Sequence, residues 1–413
     1  MPSLNETRFR ASPFVELKRL ADLEAGQREP FLELEDDPEF YGLFVARPPL
    51  AMNVKSVTRP VAELFRMLAT PSSVDAALLG DAEIVDLVLD GILEVESAGE
   101  FLCGADALPV VCPLFGGQRA EGRGQKSPES AFGGQRAEGR GQKSPEGPES
   151  FCPLPSALCA LPSRLSREAL LYAQDLVEQE PRALAMALYF YNRIPLSAFW
   201  RTRFATEDAI LAQLGVDAAR LEREWITAHD SPGWFGWVSR HAARREAGAV
   251  TWKLYVSPRP ERIRDAFAAV VRTLPLVRAA SFKVANTASG MLRPDKLVAY
   301  FGLREELNAA AEALGRELAG CEAQGVPFTA SLDEGGLLSW GVDPPDDARA
   351  LRWLGRESWR LWLVQRLGAA LAMAKSARSA AAVEPWRFAL ERARRHGVDV
   401  GTWTPSAALW SAR

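Results

Sequence analysis

TWKLYVSPRP, residues 251–260, alternates between apolar and polar side chains. As a strand it sends Trp252, Leu254 and Val256 to one face and Thr251, Lys253, Tyr255 and Ser257 to the other, because successive strand side chains point to opposite sides. The apolar face reads as core. The other face sets a lysine beside a phenol on a strand that stops at Pro258. Taking an ammonium out of water is costly. A lysine here therefore needs either an edge position, from which it reaches solvent, or a task.

Working outward from this strand, residues 261–274 carry Ile263, Phe267, Val270, Val271 and Leu274 at helical spacing. SFKVAN (281–286) and DKLVAYF (295–301) read as two further strands. Residues 303–321 bury Leu303, Leu307, Ala311, Leu314 and Leu318 as one stripe, and 358–380 form another helix. Strands alternating with helices over short connections predict an α+β fold, a small mixed sheet with helices on it, over residues 249–413.

The preceding region reads as mostly helical. Residues 152–248 form a helical linker domain, with Ala169, Leu170, Ala173, Leu176 and Val177 as one apolar stripe and Ile210, Leu211, Leu214, Leu221 and Trp225 as another. In SPGWFGWVSRH (231–241) the tryptophans read as packing residues. Within an N-terminal region, 1–112, residues 58–102 show a helix, a second helix opened by a Ser72-x-x-Asp75 cap, a third helix in DAEIVDLVLDGI, and two strands about a Ser-Ala-Gly turn. That is the order of a winged helix. Between these regions, FGGQRAEGRGQKSPES from Phe115 repeats almost unchanged from Phe132. A stretch without large aliphatic residues cannot offset its ordering entropy, so 113–151 is expected to be a disordered surface insertion.

Bulk properties exclude some classes. A net charge of −4 argues against a general nucleic-acid binder, and the acidic helix around Ala82–Asp86 makes a weak recognition helix for DNA. The opening MPSLNETRFR has no apolar signal core, and no run is long enough to span a membrane. Cytoplasmic residence without membrane contact is the expectation. Four of five cysteines bracket the repeat without a tight Cys-x-x-Cys pair, and the chain has only three histidines. No metal site, Gly-rich phosphate loop or other cofactor motif is read.

The polar cluster lies within about fifty residues. Lys253 and Tyr255 share a strand face; Lys283 points away from Phe282 and Val284; Arg293, Asp295 and Lys296 open the third strand, which ends in Tyr300. Two lysines on short strands with an arginine nearby suggest an anion site. Asp295 reads as a salt-bridge partner for Arg293 or Lys296. His241 and His396 lie in basic, exposed helices and are not persuasive acids.

These residues resemble a known pattern. In phosphothreonine lyases, and in the lyase domains of some lanthipeptide synthetases, a strand carries Lys-x-His-x-Ser, a Phe-Lys pair follows, and then an arginine. This chain has Lys253-Leu-Tyr255-Val-Ser257, Phe282-Lys283 and Arg293. TWKLYVS, SFKVAN, RPDKLVAYF, VPFTASLDEGG and ESWRLWL, taken in order over residues 249–372, are similar to the HopA-like effector family, whose members include lyases of lanthipeptide pathways. Two departures stand out. Tyr255 replaces the lyase histidine, and Ser358-Trp359 is followed by Arg360, with Leu363 where the effector pattern has a later arginine.

The resemblance implies β-elimination of phosphate from phosphoserine or phosphothreonine in a peptide, leaving a dehydroamino acid during maturation of a ribosomal, lanthipeptide-type precursor. It implies Lys283 as base, Lys253 as stabiliser of the enolate-like intermediate, Tyr255 as acid, and Arg293, Lys296 and Arg360 as phosphate ligands. The partner would be a phosphorylated precursor peptide, made by a separate kinase-like protein, with the winged-helix-like segment holding a leader peptide. The alternatives are a non-catalytic peptide-binding scaffold of that family and a winged-helix regulator.

Overall fold

The computed structural model describes residues 7–74, 79–111, 163–228, 232–241, 250–344, 357–378, 383–406 and 409. The repeat at 113–151 lies outside them, as does Asp75 of the expected helix cap. The fold is α+β. Its centre is an antiparallel sheet of seven strands: β1 (Trp225–Ala228), β2 (Trp234–Ser239), β3 (Thr251–Val256), β4 (Ser281–Ala285), β5 (Leu297–Phe301), β6 (Ala330–Ser331) and β7 (Leu338–Asp343). Their spatial order is β6-β7-β3-β5-β4-β2-β1. Strands β3 and β4 are therefore interior, each hydrogen-bonded on both sides. The edge explanation for Lys253 and Lys283 is excluded by this topology.

One face of the sheet is apolar. Leu254 and Val256, Phe282 and Val284, Ala299 and Phe301 project onto helices Ile263–Thr273 and Arg304–Glu317. Phe282 lies 4.9 Å from Trp237 in a stacked pair and meets Trp225 edge-on at 4.8 Å. Burying such a ring contributes about 1.5–3 kcal/mol. Trp225, expected on a helix, instead opens β1. The β-branched Ile226 and Thr227 continue it against Thr227↔Trp237 and Ile226↔Val238 pairs, which suit the pleated backbone.

A second core joins the N-terminal region to helices from both later parts of the chain. It holds a three-stranded sheet (Val15–Lys18, Phe40–Ala46, Lys55–Thr58) and a four-stranded one (Ser72–Ser73, Arg8–Ala11, Leu93–Ser97, Glu100–Leu102). The Ser-Ala-Gly turn closes the last hairpin with Ala98 at φ 52° and Gly99 at φ 84°, the left-handed pair a two-residue hairpin requires. Ser72, expected as a helix cap, lies in a strand paired with Phe9. The acidic helix Asp81–Leu89 is covered on one side: Asp86 accepts from Arg392 at 2.6 Å and Arg395 at 2.8 Å. Val177, expected in an apolar stripe, is 96% exposed because helix Arg164–Asp175 ends before it.

Two helices close over the polar face of the large sheet. Pro181–Tyr189 and Trp359–Lys375 cross at Gly368, where an added Cβ would stand 2.6 Å from both Ala185 N and Pro181 O. Among the described residues no helix is long and apolar enough to cross a membrane.

Candidate functional site

On the polar face, β3, β5 and β4 lie side by side, and their registers bring Lys253, Tyr300 and Ser281 into one row and Tyr255, Val298 and Lys283 into the next. Lys253 Nζ is 5.4 Å from the centre of the Tyr300 ring and Lys283 Nζ 5.6 Å from it. The two ammonium groups thus converge over one aromatic. Each lysine faces a glycine across the ladder on its other side, Lys253 opposite Gly341 and Lys283 opposite Gly236; the Tyr255 ring leans over Gly341, where an added Cβ would stand 3.4 Å from it.

The two amines differ in partners. Lys253, 7% exposed, forms an ion pair with Asp343 at the end of β7. Asp343 also accepts the Trp359 backbone N–H at 2.9 Å, which ties it to the start of the covering helix. Among the described residues Lys283 has no ion-pair partner; its Nζ sits 4.3 Å from the Trp234 ring instead. Burial, and then the charge of Lys253, pull Lys283 down to about 8, because both disfavour the protonated form.

Arginine 293 enters the same space. Its centre is 5.4 Å from Trp234, 5.3 Å from Tyr189 and 5.3 Å from Phe190. It grips Asp295 with Nε at 2.8 Å and Nη2 at 2.7 Å, while Nη2 also donates to the Tyr189 hydroxyl at 3.3 Å. Among the described residues Nη1 has no hydrogen-bond partner. Asp295 is the salt-bridge residue expected of it. Burial alone would raise its carboxyl, but Arg360 and Arg293 outweigh that and hold it below the usual range.

Arg360 and Lys296, expected as phosphate ligands, are placed otherwise. Arg360 is 2% exposed, and all three of its nitrogens are taken: Nε by Pro327 O at 3.0 Å, Nη1 by Asp295 at 3.1 Å and Nη2 by Tyr189 O at 2.7 Å. It braces Asp295, and through it Arg293. Lys296 is fully enclosed, donating to Pro258 O and Gln324 Oε1, each at 2.7 Å. Burial pulls it down to about 7. Ser257 explains the strand end: its Oγ donates to Pro294 O at 2.7 Å and accepts from Gly325 N at 3.0 Å, locking the loops beneath the site.

Tyr255 is 5% exposed, and burial followed by the charge of Asp343 pushes its phenol well above the ordinary value. Tyr300 is raised for the same reasons. Both phenols therefore stay neutral near pH 7, a form that can donate a hydrogen bond. His241 is 77% exposed beside Glu224. His396, expected to be exposed, is half-buried; burial and Arg392 lower it well below its ordinary value.

Sequence reasoning missed Asp343, Tyr189, Phe190 and Trp234. For Asp343 there was a signal, the alternation of LSWGVD at 338–343. Tyr189 comes from a helix more than a hundred residues upstream of Arg293, and nothing local marks it.

Comparison with known proteins yields distant likenesses only. No protein-family profile matches the chain, and no curated protein is a significant match. Among solved structures, the chain is similar to an effector protein from Pseudomonas syringae pv. syringae strain 61, at 13% identity and TM-score 0.36 over 59% of this chain and 100% of that one. A second, an effector from Pseudomonas syringae pv. tomato strain DC3000, gives 15%, 0.37, 58% and 95%. The Chromobacterium violaceum VirA (SpvC) phosphothreonine lyase effector gives 14%, 0.25, 35% and 77%.

Proposed function

We propose that the protein eliminates phosphate from phosphoserine or phosphothreonine in a peptide, leaving a dehydroamino acid. The observation that carries this reading is Lys283: an amine on an interior strand, without an ion-pair partner among the described residues, drawn to about 8 beside a second ammonium. A group tuned toward neutral pH can exchange protons there.

In the reaction, neutral Lys283 takes the Cα proton. The released electron pair forms the Cα=Cβ bond as the Cβ–O bond breaks, and phosphate departs with the bonding electrons. Lys253, fixed by Asp343, stabilises the negative charge that grows on the carbonyl oxygen. Arg293 offers Nη1 to the phosphate, held in place by Asp295, Arg360 and Tyr189. Tyr255 and Tyr300 donate hydrogen bonds to phosphate oxygens. Among the described residues no group replaces the lyase histidine as acid, so the phosphate leaves as an anion matched by cations. The biological setting we infer is maturation of a ribosomal, lanthipeptide-type precursor phosphorylated by a separate kinase-like protein.

The test is mass spectrometry of a phosphothreonine peptide after incubation. Elimination yields a product one water lighter than the hydrolysis product, and only the former then adds a thiol. The buried Tyr255 favours one competing reading, a scaffold that binds phosphopeptide without turnover. Binding without any change in peptide mass would select it.

A further inference from the structure

A cavity of about 1180 Å³ is lined by residues of the N-terminal region and of the two covering helices. The same helices line both places. Pro181–Tyr189 gives Tyr189 to the site and Met186 to the cavity; Trp359–Lys375 gives Arg360 to the site and Arg366 to the cavity. Six residues of helix separate the two arginines by about 9 Å.

Much of the wall is apolar, with Leu89, Met186, Met373 and Phe388 among its residues. Its charges are not balanced internally. Asp90 is shared by Lys55 and Arg392, and Asp86 by Arg392 and Arg395. Glu357 accepts from Gln365 at 3.2 Å and makes no ion pair with Arg366. Arg366 lies over Trp362, 3.6 Å from the ring centre, and among the described residues its one hydrogen bond is a long one of 3.4 Å to Trp362 O. A guanidinium has five N–H donors, so among the described residues most of this fork has no partner. Burial, only partly offset by Glu357, draws it down to about 9. Nδ1 of His396, also on the wall, is buried without a hydrogen-bond partner among the described residues.

The geometry points to this cavity as a binding site for a small apolar molecule that carries one carboxylate or phosphate group. The anion takes the free edge of Arg366 as a charge-assisted pair, and the apolar body lies against Met186, Met373, Leu89 and Phe388. The volume is of the order found for small-molecule sites, which combine an apolar lining with a few placed polar groups. This assignment is independent of the lyase reading.

Calorimetric titration of the full chain with octanoate, octyl phosphate and octan-1-ol tests it. All three share one apolar body, and the first two separate carboxylate from phosphate. At least one anion binds about tenfold or more tightly than the alcohol, as a charge-assisted pair requires. Arg366→Met, which keeps an apolar stem over Trp362, abolishes that preference, and Met186→Trp, which puts a bulkier ring into the apolar part of the cavity, weakens all three. Circular dichroism confirms that the variants are folded. Lys283→Ala leaves the titration unchanged, which separates this site from the other. Equal binding of alcohol and anions, an unaltered preference in Arg366→Met, or no binding of either anion overturns the proposal.

Discussion

Replacing Lys253 by methionine should raise the titration point of Lys283, and the structure sets the size of the effect. Both amines lie within 5.6 Å of the Tyr300 ring centre, so their nitrogens are at most about 11 Å apart. At an effective dielectric constant of about 20, like charges at that distance repel by about 1.5 kcal/mol, or about one pKa unit. The variant also frees Asp343, which pushes the same way. Lys283 should move from about 8 to about 9 or higher. At pH 7 its neutral fraction then falls from about one in ten to about one in a hundred. Asp343→Asn removes a charge that raises Lys283 and should shift it downward. The chain has eight lysines, few enough for ¹³Cε lysine NMR across pH, with Lys283→Met assigning the signal. Titration of Lys283 near 10.5 in the wild type, or no shift in Lys253→Met, refutes the reasoning.

Three further outcomes follow from the packing. Lys283→Met stabilises the fold at pH 7 by up to about 3 kcal/mol, less whatever solvent screening relieves. The folded amine titrates near 8 and the unfolded one near 10.5, so the unfolded chain binds the extra proton between them; wild-type stability climbs with pH across that window. Urea unfolding should show the variant's advantage shrinking from pH 8 and vanishing above about 10.5. Gly368→Ala should cost about 1–3 kcal/mol in the same assay, since the new Cβ meets backbone atoms of Ala185 and Pro181 at 2.6 Å. Asp295→Asn strips the counter-charge from Arg293 and Arg360, costing about 3–5 kcal/mol. Its carboxyl is held low, so the loss appears above about pH 4 and fades as pH falls below that.

Alternation revealed β3 and β4, because each has an apolar face on the core and a lysine on the other; β5 keeps Leu297, Ala299 and Phe301 on the core and Val298 and Tyr300 opposite. From that parity alone Lys253, Tyr255 and Lys283 share a face. What lay beyond local pattern was strand order, and strand order decides whether a lysine is at an edge or in the middle of a sheet. The roles of Arg293 and Arg360 were likewise divided by long-range partners. Both are arginines near one aspartate, but Arg360 comes from the first turn of a buried helix, where Pro327 O and Tyr189 O consume its donors. Arg293 comes from a loop beside aromatic rings, and among the described residues one of its nitrogens has no partner. Val177 and Trp225 show the opposite error, apolar residues assigned to helices whose ends the stripe pattern did not mark.

The most direct measurement is inorganic phosphate release from a phosphothreonine peptide as a function of pH, for wild type and Lys283→Met. The account predicts release that rises through a single ionisation near pH 8 and is absent from the variant at every pH. Wild-type release by Lys283→Met, or a wild-type rate with no ionisation in that region, would contradict it.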